Sequence, residues 1–254
     1  MTMLNEKKYE TKSWKVILFL IVLESLGCGR GTMVLPKEED KAAVILESKG
    51  YRINQNRFKP GQHIKYIEIN KKTIYKTGDL ESICNISTLE GIKFEKISFP
   101  VLTGGEIMSC SNSKLEEFLF FEVKVESNSI CRVLKAKKNP GLAVTFFYST
   151  INKNLIDCLS ELESLTSFGL DGDLNFTDDD FCAFSKKSKN LTFLRLNYSN
   201  LGKKSLECIL NFPKLTSVML QDWKNVPMAE HFKIMDAYEK KYGRKIEKLI
   251  NDTY

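Results

Sequence analysis

The sequence is poor in the residues and motifs that enzymes use. Its 254 residues include only two histidines, His63 and His231, and neither accompanies a nucleophile motif such as G-x-S-x-G. A phosphate-binding glycine loop is absent, and no two cysteines have the C-x-x-C spacing of a zinc site. We therefore expect a protein that is not an enzyme, has no catalytic residues and binds no metal or cofactor.

A single-sign charge patch is also lacking. The net charge is only +6, and the basic residues are scattered among acidic ones along the chain. Such a distribution is typical of a solvated surface and not of a nucleic-acid-binding face. We expect no nucleic-acid partner.

One acidic stretch, residues 171–182, imitates the oxygen ligands of a calcium loop. Its sixth position is Phe176, where the sharp turn needs glycine, and its twelfth is Cys182, where a bidentate glutamate is needed. Thr177 is instead well placed to cap a helix, and the three aspartates that follow suit the positive end of that helix. The stretch predicts a helix start and no calcium site.

What the chain does have is a repeat of about 25 residues that begins at Ile64 and continues almost to the C-terminus. Each unit opens with apolar residues at its first, fourth and sixth positions, and a short helical stripe such as Phe181–Phe184 generally follows. A strand pattern and a helix pattern within one period predict a solenoid of stacked units. The openings start at Ile64, Leu89, Leu115, Gly141, Leu165, Leu191 and Leu215.

The unit that starts at Leu191 resembles a leucine-rich repeat. Residues 191–201 read L-T-F-L-R-L-N-Y-S-N-L, close to the pattern L-x-x-L-x-L-x-x-N/C-x-L, with Ser199 where Asn or Cys is usual. The resemblance implies an α/β fold: a leucine-rich-repeat solenoid of about seven strand–helix units. It further implies a parallel sheet on the concave side, helices on the convex side and helical caps at both ends.

Residues 1–27 have the layout of a secretory signal peptide. Lysines precede the apolar run Val16–Leu23, and Ser25-Leu26-Gly27 offers small residues for cleavage. The run is short for a bilayer span. An uncleaved anchor and lipidation at Cys28 are the alternatives, and membrane contact is expected only if this segment is retained.

These features predict four segments along the chain. They are a signal peptide at 1–27, an N-terminal helical cap at 28–63, leucine-rich repeats at 64–226 and a C-terminal helical cap at 227–254. The leader, the irregular repeats and the Lys/Asn/Ile-rich composition are similar to the secreted leucine-rich-repeat proteins of microsporidian parasites. That similarity implies a partner on a host or surface.

Four cysteines recur at one position of consecutive units, on the predicted helices: Cys131, Cys158, Cys182 and Cys208. Stacked helices lie about 8–10 Å apart, whereas a disulfide needs Cα atoms roughly 4.4–6.8 Å apart. We therefore predict buried free thiols, although free thiols conflict with an oxidising destination.

Glycosylation is left open by the sequence. Five N-x-S/T sequons occur, and Asn197 is expected to face outward from the strand, where a glycan would cover the predicted binding surface. The sequons are at Asn85, Asn175, Asn190, Asn197 and Asn251.

The predicted binding surface is the concave strand face, where aromatic residues concentrate at the outward positions. Exposed aromatic and arginine side chains on a rigid sheet are typical of protein-binding hot spots. A one-residue slip in the weak units would instead place Phe121 and Phe147 in the core. The predicted partner-binding residues are Phe121, Phe147, Tyr148, Phe193, Arg195, Tyr198 and Met219.

The sequence thus predicts a secreted or cell-surface monomer that binds a protein partner. An intracellular adaptor of the F-box-associated repeat type is one alternative, but no F-box-like segment fits before the repeats and the apolar leader would be unexplained. A structural component of a coat or wall is the other.

Overall fold

A computed structural model describes the repeat region and both of its flanks. The described residues are 37–55, 64–73, 79–84, 86, 88–96, 114–125, 129–137, 140–151, 153–172 and 175–251. The predicted signal peptide, Cys28 and His63 lie outside them. None of the helices among the described residues is both long and apolar enough to cross a bilayer.

Strands and helices alternate along most of the chain. The strands are β1 (Arg52–Gln55), β2 (Ile64–Asn70), β3 (Gly91–Glu95), β4 (Glu117–Phe121), β5 (Lys124–Val125), β6 (Leu142–Phe147), β7 (Thr150–Ile151), β8 (Leu165–Asp171), β9 (Phe193–Asn197), β10 (Ser217–Gln221) and β11 (Glu247–Asn251). The helices are α1 (Lys37–Ser48), α2 (Asp79–Cys84), α3 (Ser129–Ala136), α4 (Lys153–Ser160), α5 (Asp178–Lys187), α6 (Lys203–Cys208), which continues into a 3₁₀ turn (Ile209–Asn211), and α7 (Met228–Tyr242).

Nine strands form one mixed sheet in the order β1-β2-β3-β4-β6-β8-β9-β10-β11. Every pairing is parallel except that of β1 with β2, which is antiparallel. The short strands β5 and β7 pair separately. A mostly parallel sheet follows from the strand–helix repeat, because parallel neighbours need a crossover connection.

The strand register agrees with the predicted phase of the repeat, in the weak units as well as the clear ones. The fourth positions of the seven units pair in one continuous row, and the sixth positions pair in another. All of these side chains are buried. The fourth-position row consists of Ile67, Ile92, Phe118, Val144, Phe168, Leu194 and Val218.

The buried rows pack against the helices to form one core. Phe94, Phe120 and Phe146 stack in sequence, with ring centroids 5.2 and 4.8 Å apart. Further along, Phe168 from β8 packs against Phe184 from α5, with ring centroids 4.5 Å apart. Equivalent side chains therefore contact each other across units, which buries an apolar face that one unit could not bury alone.

Residues other than asparagine satisfy the backbone where the leucine-rich-repeat pattern has Asn or Cys. The Ser149 hydroxyl accepts a hydrogen bond from the Val123 N–H, 3.0 Å away, and lies 3.0 Å from the Phe120 carbonyl. Three units later, Trp223 Nε1 donates to the Leu196 carbonyl at 2.7 Å. Each side chain links its own unit to the preceding one.

The residues at which the chain leaves the sheet have a left-handed backbone conformation, with positive φ, and we call them the left-handed row. Each of these residues directly follows a strand of the sheet. In the five that follow β3, β4, β6, β8 and β9, the backbone N–H donates to a carbonyl at the end of the next strand, at 2.8–2.9 Å. Apart from Gly172, these residues carry side chains although their φ angles are positive, between 49° and 56°. The row comprises Lys96, Glu122, Tyr148, Gly172, Tyr198 and Asp222.

The structure corrects the prediction of free thiols. Cys131 in α3 is bonded to Cys158 in α4, and Cys182 in α5 to Cys208 in α6, with Cα–Cα distances of 6.1 and 5.2 Å. The prediction was wrong because it used the separation of helix axes. Cα atoms stand about 2.3 Å from their axis, so residues on facing sides of two helices come within disulfide range.

The interval predicted as a C-terminal helical cap holds α7 and also a further parallel strand, β11. Glu239 in α7 joins the two elements. Its carboxylate accepts hydrogen bonds from Lys245 Nζ at 2.9 Å and from the Ile246 N–H at 3.2 Å, and it lies 3.2 Å from Lys248 Nζ. The Lys245 hydrogen bond, followed by the Ile246 N–H, lowers the pKa of Glu239 to about 2.

Replacing Glu239 with glutamine is expected to lower the melting temperature at pH 7. A lowered folded-state pKa means that the carboxylate stabilises the fold above its unfolded pKa, near 4.5, and loses this effect as the pH falls toward 2. The difference between variant and parent should therefore shrink between pH 5 and pH 2 in thermal unfolding followed by circular dichroism. Asp236→Asn, which removes an exposed carboxylate on the same helix, should change the melting temperature little. A pH-independent difference for E239Q would contradict the assignment.

Candidate interaction surface

Among the residues that the structure describes, the helices pack against only one face of the sheet. Because side chains alternate along a strand, the residues between the buried rows point to the other face, which we call the open face. Register aligns them across the sheet, so that Lys93, Leu119, Thr145, Gly169 and Arg195 lie side by side. The face is built from residues about 25 positions apart in the chain.

The structure brings Phe121, Phe147 and Arg195 together on the open face. The Phe121 and Phe147 rings stack with centroids 4.1 Å apart and planes 8° apart. Lys93 Nζ lies 4.5 Å from the Phe121 centroid, and the Arg195 guanidinium carbon lies 5.1 Å from the Phe147 centroid. We call Lys93, Phe121, Phe147 and Arg195 the cation–aromatic strip. Its two rings are stacked face to face and flanked by cations, the geometry of favourable cation–π contacts.

The cations of the strip are also paired with carboxylates. Arg195 binds the buried carboxylate of Asp171 through two nitrogens, Nε at 2.7 Å and Nη2. Lys93 Nζ lies 2.8 Å from Glu95 and 3.2 Å from Glu68. Bidentate arginine–carboxylate pairing fixes orientation as well as distance. The strip is therefore ordered before any partner binds, and each of its two cations is already paired with carboxylates of this chain.

At the margin of the open face, two of the described aromatic side chains are exposed, those of Tyr148 (59%) and Tyr198 (40%). Both occupy the left-handed row, separated only by Gly172, and their ring centroids are 6.5 Å apart with planes tilted by 31°. The Tyr148 ring leans over Gly172, where an added Cβ would lie 2.5 Å from Tyr148 Cδ1. Glycine suits this position because its φ is +93° and because an added side chain would displace the ring. We call Tyr148 and Tyr198 the tyrosine pair.

The remaining two predicted binding residues differ in how accessible they are. Phe193 is half-buried at the start of β9, on the open face. Met219 lies on the same face in β10 but is only 8% exposed, so it offers a partner little surface. The strand register places Met219 beside Arg195, and the sequence pattern did not indicate that Met219 is buried.

Asn197 is the most unusual polar residue near the tyrosine pair. It precedes Tyr198, pairs in register with Asp171 and Gln221, and is only 1% exposed. Neither its amide nitrogen nor its amide oxygen has a hydrogen-bond partner among the described residues. A buried amide without partners lowers stability. Its burial also leaves no room for a glycan on this sequon in the folded protein.

The other sequons lie in different environments. Asn175 is exposed in the loop before α5. The Asn190 amide donates to the Glu163 carbonyl at 2.9 Å and its oxygen accepts from Lys214 at 2.7 Å. The side chains of Asn85 and Asn251 lie outside the described residues.

The helix start predicted from the acidic stretch is confirmed. Thr177 caps α5 in a capping box with Asp180, and Asp178 accepts from the Gly202 N–H at 2.8 Å. These carboxyl groups serve the fold. In the part of the chain that the structure describes, no group of three or more histidine, cysteine, aspartate or glutamate residues is arranged to hold a metal ion.

The one described histidine belongs to the core. His231 is buried in α7, with its ring 5.2 Å from Trp223 in an edge-on contact and its Nδ1 3.2 Å from the Pro227 carbonyl. A ring packed in this way is unavailable to a substrate.

Tyr66 and Glu117 form a polar pair at the other end of the open face, which the sequence pattern did not predict. Tyr66 lies over Gly91 much as Tyr148 lies over Gly172, with 2.5 Å between Tyr66 Cε1 and an added Cβ. Burial raises the pKa of the Tyr66 hydroxyl, and Glu117, to which it hydrogen bonds, raises it further. Burial also raises the pKa of Glu117. The signal in the sequence was a tyrosine aligned with a glycine one unit later.

The architecture is leucine-rich-repeat-like: strand–helix repeats of this phase build a mostly parallel sheet. No protein-family model and no curated protein matches the chain. Among solved structures it is similar to the leucine-rich-repeat ectodomain of the receptor kinase SOBIR1 from Arabidopsis thaliana, with 13% sequence identity and a TM-score of 0.30, covering 76% of this chain and 97% of that chain. The leucine-rich-repeat-like character of the fold rests on the strand–helix order and the parallel register of the sheet.

Replacing Asn197 with leucine is expected to raise the free energy of unfolding by about 1 kcal/mol, because it removes a buried amide that has no partner among the described residues. Asn190→Leu is the matched control. It removes an amide that is hydrogen bonded at both ends and should lower the free energy of unfolding by about 1 kcal/mol. Urea denaturation measures both changes. Equal destabilisation by the two substitutions would show that Asn197 is satisfied.

Proposed function

We propose that this protein is a secreted, non-enzymatic leucine-rich-repeat module that binds a protein partner through the open face of its sheet. The observation that carries the proposal is the tyrosine pair, two large exposed rings side by side at the margin of that face. Tyrosine is enriched in binding hot spots because it offers a large amphipathic surface at low entropic cost.

The surroundings of the tyrosine pair support this role. The cation–aromatic strip holds Phe147 and Arg195 in place beside it, and Asp171 anchors Arg195 from a buried position. A surface that is ordered before binding loses less conformational entropy when the partner arrives. Exposed rings beside this ordered strip therefore favour binding over a purely structural role.

The disulfides support export. Bonds such as Cys131–Cys158 and Cys182–Cys208 form and persist in oxidising compartments and are rare in the cytosol. They favour the secreted protein over the intracellular F-box-type adaptor. They also remove the conflict that free thiols would have caused with the predicted signal peptide.

The intact mass and N-terminal sequence of the protein from its native cell test export. We expect an N-terminus at residue 28 and cysteines that resist alkylation until they are reduced. An N-terminus at residue 1 together with alkylatable thiols at residues 131, 158, 182 and 208 would contradict export.

A photo-cross-linking amino acid in place of Phe193 tests whether the open face meets a partner. We expect a discrete protein adduct in the native setting, because Phe193 lies on the face and is partly accessible. The control position is Phe232, which is 44% exposed on α7 in the helix layer. The adduct should be missing with the Phe232 probe and weakened by Tyr198→Asn. Equal adducts from both positions, or none from Phe193, would contradict binding through this face.

A further inference from the structure

We propose that the tyrosine pair is a slot for an arginine side chain of the protein partner, whose guanidinium stacks between the Tyr148 and Tyr198 rings. The inference rests on the function proposed above and specifies the chemistry of the partner. It is carried by the geometry of the two rings, by the charges around them and by the unpartnered amide of Asn197.

The spacing of the rings suits a flat group. A planar group stacked against both faces needs roughly 7 Å between them, two contact distances of about 3.5 Å each. The centroids are 6.5 Å apart and the planes are tilted by 31°, so a small rotation of these exposed rings is sufficient. Gly172, which stands between the two tyrosines in the row, has no side chain, and the Tyr148 ring lies over it. A guanidinium is planar and stacks on aromatic faces, whereas an ammonium does not.

The charges around the slot favour a cation. Glu122 precedes Tyr148 in the left-handed row and Asp222 follows Tyr198, so a carboxylate stands on each side; that of Glu122 lies 3.4 Å from Lys96 Nζ. Asp171 and Arg195 both lie close enough to Tyr148 for their charges to act on its hydroxyl group, and they act in opposite directions. A cation over an aromatic face gains most where carboxylates are near and water is partly excluded.

The neighbouring strip already shows the same chemistry within the chain. Arg195 places its guanidinium over the Phe147 ring while Asp171 binds its nitrogens. Arg195 is thereby committed to this carboxylate. The slot one residue further along offers two aromatic faces to an arginine from outside, with Glu122 and Asp222 flanking it in the left-handed row.

Asn197 supplies the second, independent observation. It is buried, adjoins Tyr198 in the chain and Asp171 in the sheet, and its amide oxygen has no donor among the described residues. The amide atoms are closed to solvent in the free protein, so a guanidinium with its five N–H donors reaches the oxygen only if the slot widens. Proteins keep polar groups without partners mainly where function requires them, because they reduce stability.

Fluorescence anisotropy with a labelled nonapeptide of three Gly-Ser-Arg repeats tests the slot. Counterparts with glutamine or lysine in place of arginine are the matched probes. We expect the arginine peptide to bind at least tenfold more tightly than the glutamine peptide and more tightly than the lysine peptide. If the glutamine peptide bound equally well, the proposal that the slot recognises a cation would be wrong. If the lysine peptide bound equally well, the proposal that a planar guanidinium stacks between the rings would be wrong.

Variants locate the binding. Tyr148→Asn and Tyr198→Asn should each weaken the arginine peptide about tenfold, and asparagine is chosen because it tolerates the left-handed backbone. Tyr198→Phe keeps the ring and should stay within about twofold of the parent. Phe232→Ala, which removes an exposed ring elsewhere, should have no effect. Unchanged binding by both asparagine variants would overturn the proposal.

Asn197→Leu separates a binding role from a structural one. We expect it to weaken the arginine peptide although it stabilises the fold, whereas full binding would show that the amide does not contribute and would overturn its place in the slot. Circular dichroism melting confirms folding of each variant. The peptide assay reports only what the slot accepts, whereas cross-linking at Phe193 reports whether the face meets any partner. A failed peptide assay with a retained adduct overturns the slot alone.

Discussion

The structure depends on the parallel register that sets equivalent residues of successive units side by side, about 4.8 Å apart. No unit can bury its apolar face by itself, so each fourth- and sixth-position side chain relies on its counterpart in the next strand. The stacked Phe94, Phe120 and Phe146 rings are the direct result. The same register aligns the open face, where it brings Phe121 onto Phe147 and Arg195 next to Asp171.

The left-handed row is a second consequence of that register. An L-residue at positive φ costs roughly 1–2 kcal/mol, yet Tyr148 and Tyr198 both adopt this conformation. Their N–H groups compensate by bonding carbonyls at the end of the next strand. Backbone strain of this kind is frequently found at binding sites. Here it places two aromatic rings beyond the ends of their strands, where they are exposed instead of packed on the sheet.

Much of the fold could be read from the apolar spacing because strand and helix periods are local properties. The phase was right even in the weak units, so Phe121 and Phe147 lie on the open face and not in the core. The Thr177 cap was readable for the same reason. The pairing of Cys182 with Cys208 was not, because it depends on how closely the facing sides of two helices approach. The burial of Met219 and Asn197 likewise depends on side chains from other units.

The sequence by itself determined which residues of each unit face the core, since that assignment needs only a period and a starting point. Export was predicted from the apolar run near the N-terminus, and partner binding from the outward aromatic residues. Only the tertiary structure decided which side chains of different units meet. The 6.5 Å gap between Tyr148 and Tyr198, the glycine beneath the Tyr148 ring and the unpartnered Asn197 amide arise from residues 24 to 50 positions apart. No local pattern encodes such distances, because register, backbone turn and side-chain rotamers set them together.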